Sequence, residues 1–176
     1  LRRRAIPLSG ACWSAGKINL RLAGAESAVN AAAKELGAHF DATSADAEQD
    51  FWNNLREQQL SFFSSDQPIW RLSVNPASPP LPLHYSKKSQ QIIDWGGAQR
   101  WLAGDFKFEQ VQLLAQQAKG HASLYRGRNL KGEQREPAKG EVFQSLPAPL
   151  QALHRRVKKA VDPAGILNPG RLYSWL

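Results

Sequence analysis

The stretch that most limits how this chain can fold is Asp162-Pro163-Ala164-Gly165-Ile166-Leu167-Asn168-Pro169-Gly170-Arg171-Leu172-Tyr173, close to the C-terminus. Each proline fixes φ and removes a backbone donor, and each glycine opens conformations that side chains forbid. Directly after a basic helical pattern, that punctuation dictates a set series of turns rather than a frayed end. Local chemistry alone reads it as a helix stop at Asp162-Pro163 and a turn at Gly165, with Ile166 and Leu167 anchored in a core.

The rest of the chain supports one domain of ordinary size. Its 176 residues suffice to bury a sizeable core. They include no methionine and open on Leu1-Arg2-Arg3-Arg4, which is expected of a piece of a longer protein. No run approaches the roughly 18 apolar residues of a membrane helix, and the Arg-rich start lacks the apolar stretch of a signal peptide. The expectation is therefore a soluble protein, to which the single cysteine adds the expectation of a reducing cytoplasm. The lone Cys12 has no partner for an internal disulfide, and no Cys/His spacing suggests a zinc site. A formal charge of +8 suits nucleic acid, an acidic substrate or an acidic partner subunit, and does not choose among them.

Read in order, the chain begins with two strands, Ala5 to Trp13 and Lys17 to Leu22, joined by the turn Ser14-Ala15-Gly16. Ala28, Val29, Ala32, Ala33 and Leu36 then recur at helical spacing up to Gly37, which is expected at C′. A short strand at Ala38-His39-Phe40 and a helix from Ala45 to Gln58 follow, the latter with Phe51, Trp52 and Leu55 on its apolar face. Phe62 and Phe63 extend that cluster. Ile69 to Val74 alternates as a strand, and Pro76, Pro79, Pro80 and Pro82 enforce an extended loop.

Gln91 to Trp95 and Gln99 to Leu102 form a second hairpin around Gly96-Gly97. A helix presenting Phe108, Val111, Ala115 and Ala118 ends at Gly120, and a strand runs from His121 to Arg126. The densely charged stretch 127–141 is expected to be a mobile surface loop. Pro147 and Pro149 open a last helix, in which Leu150, Leu153, Val157 and Ala160 are expected to face inward and Arg155, Arg156, Lys158 and Lys159 outward.

Leu22-Ala23-Gly24 returns as Leu102-Ala103-Gly104. Each copy follows a Trp-bearing hairpin and precedes a helix and a His-containing strand. The expected fold class is α+β: a duplicated ferredoxin-like antiparallel sheet of two ββαβ repeats, with helices packed on one face.

The residues offer little catalytic machinery. His39, His84, His121 and His154 are scattered and lack carboxylates at ligand spacing, so neither a catalytic set nor a metal site is expected. No nucleophile elbow, phosphate-binding loop or dinucleotide fingerprint is present.

The closing run, with the basic helix before it, resembles the C-terminal signature of the FAD-linked oxidases of the vanillyl-alcohol oxidase type. Trp70-Arg71-Leu72-Ser73, the run from Ile93 to Leu102, and Gly120-His121-Ala122 extend the resemblance over essentially all 176 residues, as the cap half of a flavin-binding subunit. The resemblance implies FAD in the intact subunit and none bound to this chain alone. It implies assembly with a catalytic flavoprotein subunit and an iron–sulfur subunit that together oxidise a 2-hydroxy acid, with peripheral association at the inner membrane and no nucleic acid. It places Asn168 near the flavin ring, with Gly170 allowing close backbone approach and Arg171 carrying charge to the flavin edge. His121 and Arg126 are candidates to hold an anionic substrate, while Trp95 and Trp101 either stack on a ligand or lie in the core. The family's Glu-His-Gly and Gly-His-x-Gly-Asp-Gly-Asn strands, which supply its usual substrate and metal contacts, are absent. Two other readings stay open from charge and fold: a basic ferredoxin-like nucleic-acid-binding module, and a scaffold without flavin contact.

Overall fold

A computed structural model describes residues 6–42, 49–81, 90–127 and 142–176. Its centre is a six-stranded antiparallel sheet with the order β2-β1-β4-β5-β3-β6. The strands are β1 (Leu8–Ser14), β2 (Lys17–Leu22), β3 (Ile69–Ser73), β4 (Gln90–Asp94), β5 (Gln99–Ala103) and β6 (His121–Arg126). The helices are α1 (Glu26–His39), α2 (Gln49–Arg56), α3 (Phe108–Gln117) and α4 (Ala148–Val161). This is the α+β architecture the sequence patterns predict.

Register fixes which side chains share a face, because alternate residues of a strand point the same way. Trp70 opposes Leu102 and Leu72 opposes Ala122, so these residues share one face with α3. Val111, Leu114, Ala115 and Ala118 from α3 complete that core, joined by Leu81 and Phe106. Ile69 opposes Ala103 and Trp101 opposes Ile92 on the other face. There Phe62, Phe63, Cys12 and the α2 residues Phe51, Trp52 and Leu55 pack against them. The expectation of helices on one face is corrected accordingly: α3 covers one side and α2 with its 3-10 extension Ser61–Ser64 covers part of the other. The cause is β3 and β5, whose apolar residues fall on both sides, as in a strand buried from above and below.

The ββαβ pattern does not take the bounds expected: the elements run β1-β2-α1-α2-β3 and then β4-β5-α3-β6. The expected strand at 38–40 is instead the last turn of α1, which runs past Gly37 to His39 and packs Ala32 and Leu36 toward β2. Gly37 thus sits inside the helix. The second unit keeps its hairpin, helix and strand, with β3 inserted between β5 and β6. The start of the predicted 45–58 helix lies outside the described residues, as does nearly all of the loop expected at 127–141.

Arg100 ties the second hairpin to the proline-rich loop. It is 2% exposed, and it donates to the carbonyls of Gly97 at 2.9 Å, Ser78 at 2.9 Å and Pro79 at 3.5 Å. Burial lowers its pKa from the usual guanidinium value, but no carboxylate is needed: the carbonyls stand in for water.

Two glycines separate steric from conformational constraint. A Cβ on Gly120 would lie 2.0 Å from the backbone oxygen of Ser73, whereas one on Gly165 meets nothing within 4 Å but sits at φ +68°. We expect Gly120→Ala to cost about 3 kcal/mol or more, and Gly165→Ala only about 1 kcal/mol. Midpoints of urea denaturation at unchanged slope would measure both.

Candidate functional site

The C-terminal turns are built on one carboxylate. α4 ends at Asp162, whose side chain is buried; its Oδ1 accepts from the Ile166 amide at 3.1 Å and its Oδ2 from the Leu167 amide at 2.9 Å. One turn back, Lys158 Nζ approaches Asp162 Oδ2 at 2.5 Å and also donates to the Leu167 carbonyl. Lys158 and the two amides hold the Asp162 carboxyl down, to a pKa of about 2. The helix stop is therefore also a clamp, signalled in sequence only by the four-residue Lys-to-Asp spacing.

Beyond the clamp the tail folds on itself. Asn168 adopts φ +47° and its carbonyl accepts from the Arg171 amide at 3.2 Å; the Gly170 amide, at φ +69°, donates to the Leu176 carbonyl at 2.9 Å. Tyr173 stacks on Trp175, contacts His154 and Phe143, and donates its hydroxyl to the Gln144 carbonyl at 3.2 Å. Arg155 lies over the Trp175 ring at 4.6 Å. Gln144 in turn pairs with Ala122, and Phe143 bridges Ser123, so the tail is fastened to the sheet at β6.

Two expectations change here. Ile166 and Leu167 are 75% and 56% exposed rather than anchored in a core: their backbone amides, not their side chains, are what the fold holds. Leu150, Leu153 and Val157 are 43%, 48% and 54% exposed, and Ala160 is exposed too, so the apolar stripe of α4 does not face inward. Leu153, Val157 and Val161 line an open apolar groove of about 380 Å³ with His154, Lys158 and Leu176.

Asn168, Gly170 and Arg171 are all exposed on one short run of the tail. No atom lies within 4 Å of a Cβ built on Gly170, so within this chain the glycine answers to its positive φ rather than to a close neighbour. His121 and Arg126 are not brought together. They stand at opposite ends of β6, His121 opposite Ser73 and Arg126 opposite Ile69, roughly 16 Å apart at strand rise. An irregularity in the register turns Arg126 onto the α2 side, where its guanidinium donates to the Phe63 carbonyl.

Trp101 is buried at 6% exposure, while Trp95 is 64% exposed on the hairpin turn. Between them stands Arg71, an exposed residue the sequence patterns did not single out; nothing short of strand register would have placed it there. Burial and the nearby Asp94 push the Cys12 thiol up to about 12, which leaves it a packing residue. Among the described residues no group of three or more His, Cys, Asp or Glu is placed to hold a metal, and no helix is long and apolar enough to cross a membrane.

Because the Asp162 pKa is depressed in the folded chain, its contribution to tail order is present above the unfolded value near 4 and is lost as pH falls toward about 2. We expect the Ile166 and Leu167 amide resonances to shift together across that window, and Asp162→Asn to show the low-pH positions already at neutral pH. An NMR titration of the two amides checks this.

Comparison with known proteins returns to this tail. The family described as "FAD linked oxidases, C-terminal domain" matches residues 138–172, which hold α4, the clamp and the turn carrying Asn168. Over 171 residues, 97% of the chain, the sequence is 37% identical to "Glycolate oxidase subunit GlcE" of Escherichia coli (strain K12). The chain spans 43% of the length of that relative. No solved structure matches it. The chain is thus similar over nearly all of its length to a glycolate oxidase subunit, and its last helix and tail lie in the stretch that matches the C-terminal domain of FAD-linked oxidases.

Proposed function

We propose that this chain is the cap of an FAD-linked oxidase subunit that works in oxidation of glycolate to glyoxylate, and that it encloses the flavin ring with its clamped tail and contributes to subunit assembly. The observation that carries the reading is the tail itself: a segment fixed by the Asp162 carboxylate and by Tyr173, yet exposing Asn168, Gly170 and Arg171 to the outside. Ordering a backbone costs about 1 to 2 kcal/mol per residue, and here that order leaves Asn168, Gly170 and Arg171 uncovered. A preorganised but uncovered surface is what a ligand edge requires.

The donor set suits part of a flavin. Asn168 offers an amide that can both donate to and accept from a ring carbonyl or nitrogen, and Arg171 offers positive charge beside it. The open space around Gly170 admits a flat ring edge to the backbone. No glycine-rich phosphate loop occurs in the chain, so the pyrophosphate and adenine of FAD are held outside these residues. FAD, when bound, supplies the hydride-accepting chemistry. Of the two residues considered for the substrate, His121 remains free to serve on the open sheet face, while the Arg126 guanidinium is engaged with Phe63. The partners in this reading are other glycolate oxidase subunits, a catalytic flavoprotein and an iron–sulfur protein, which suit a chain of +8 charge if their docking surfaces are acidic.

In the intact FAD-containing polypeptide, Asn168→Ala is expected to weaken FAD binding about fivefold, the worth of one hydrogen bond of about 1 kcal/mol, and to shift the flavin absorbance bands. Unchanged affinity and spectrum would instead favour a scaffold without flavin contact. The 176-residue chain expressed alone is expected to purify colourless; a yellow preparation with flavin absorbance would contradict the placement of the phosphate contacts elsewhere.

A further inference from the structure

The sheet face partly covered by α2 is open at its other end. Strand alternation puts Arg71 and Ser73 on this face with Gln99 and Trp101 from β5, and with His121 and Ser123 from β6. Phe62, Phe63 and α2 cover Ile69 and Ala103, and the Phe63 and Tyr125 rings meet the edge of Trp101, which leaves Arg71, Ser73 and His121 exposed beyond them. Gln99 and Trp101, each 6% exposed, form the floor.

Arg71 is held there with unusual definition for a surface arginine. Its guanidinium carbon lies 5.5 Å from the Trp95 ring centroid and 5.9 Å from that of Trp101, while its Nε donates to Gln99 Oε1 at 2.8 Å. The two rings and one amide oxygen fix the plane of the fork and occupy only Nε. Among the described residues neither terminal nitrogen has a hydrogen bond or an ion pair. Asp94, opposite Gln99, is the one carboxylate that these four strands place on this face, and it forms no ion pair with Arg71. Trp95 adds an independent sign of function. It is a non-glycine residue at φ +52°, a conformation that costs an aromatic residue about 1 kcal/mol or more, and it leaves its indole 64% exposed.

We infer that Arg71, backed by Gln99, walled by Trp95 and approached from β6 by His121, is a binding site for a carboxylate. The two free guanidinium nitrogens meet two carboxylate oxygens side by side, the geometry in which arginine binds carboxylates best. His121 stands diagonally across from Arg71 in the register, about 7 to 8 Å between backbones, and borders the same open face from the β6 side. The carboxylate belongs either to a small 2-hydroxy acid or to an acidic side chain of a docked polypeptide. Only the choice of glycolate as probe rests on the proposed function; the site itself needs no flavin.

The test follows the Trp95 indole NH by NMR in the whole polypeptide, assigned with Trp95→Phe, at constant ionic strength. Glycolate should move that signal saturably with a millimolar Kd, and neutral glycolamide should not move it. Arg71→Gln, checked for an unaltered melting curve, should weaken glycolate binding at least about tenfold, and Arg71→Lys, which keeps charge but loses the fork, should lie between. A glutamate-bearing peptide that binds more tightly than glycolate assigns the carboxylate to a protein partner; the reverse order assigns it to the small acid. A Trp95 signal unmoved by glycolate and peptide alike, or moved equally by glycolamide or in Arg71→Gln, overturns the site. Failure of Asn168→Ala to alter the flavin bears only on the tail, so the two readings fail separately.

Discussion

Burial of β3 and β5 from both sides is the constraint to which the rest of the molecule conforms. All five residues of β5 are buried, and on β3 Ile69, Trp70 and Leu72 are buried although they point in opposite directions. A strand pair of this kind cannot be satisfied by one helical layer. α3 supplies one cover, and α2 with Phe62 and Phe63 supplies the other. Polar residues on these strands must then find partners within the fold. Arg100 does so through three loop carbonyls, and Gln99 through the guanidinium of Arg71. The proline-rich loop and the hairpin turn are therefore fixed by the same burial that forms the core.

What could be read from the sequence was whatever depends on local periodicity and turn chemistry. Trp70, Leu72 and Val74 alternate and are buried together; Val111, Ala115 and Ala118 recur at helical spacing and pack on them. Gly96 and Gly97 take the positive φ angles that a tight turn demands. What escaped was whatever depends on which elements come to lie face to face. Residues 38–40 read as a short strand because alternation over three positions carries almost no information, and the preceding helix simply continued through Ala38 and His39, leaving only Phe40 extended. α4 shows a real amphipathic stripe, but a stripe states only that a face prefers cover, not that this chain supplies it.

The candidate sites divide along the same line. The tail was legible because proline and glycine act on the backbone where they stand, and the turns at Asn168 and Gly170 follow from that. The part of Asp162 was half legible. Its place before Pro163 marks a helix stop, but the carboxylate's grip on two amides depends on a chain reversal that no spacing rule describes. Arg71 was named only as part of the run from Trp70 to Ser73; its surroundings were invisible, since they come from three strands separated by long stretches of chain and meet only when the register is known.

The two exposed features make different demands on whatever they meet. At the tail the backbone is rigid while the apolar residues around it, Val157, Val161, Ile166 and Leu167, stand in water. Covering such side chains yields about 25 cal/mol per Å² of apolar surface, so this side of α4 favours a broad, largely apolar contact. The Arg71 site lies on the sheet face, with an aromatic wall and a charged fork, and it favours a small, oriented anion. A broad apolar contact can dock one body on another without specifying chemistry, whereas a fixed arginine can select a ligand without contributing much area. The two features are joined through Ala122, Gln144 and Tyr173 at the edge of one sheet, so the hydrogen bonds that fix the tail also fix where it stands relative to the strands that carry Arg71.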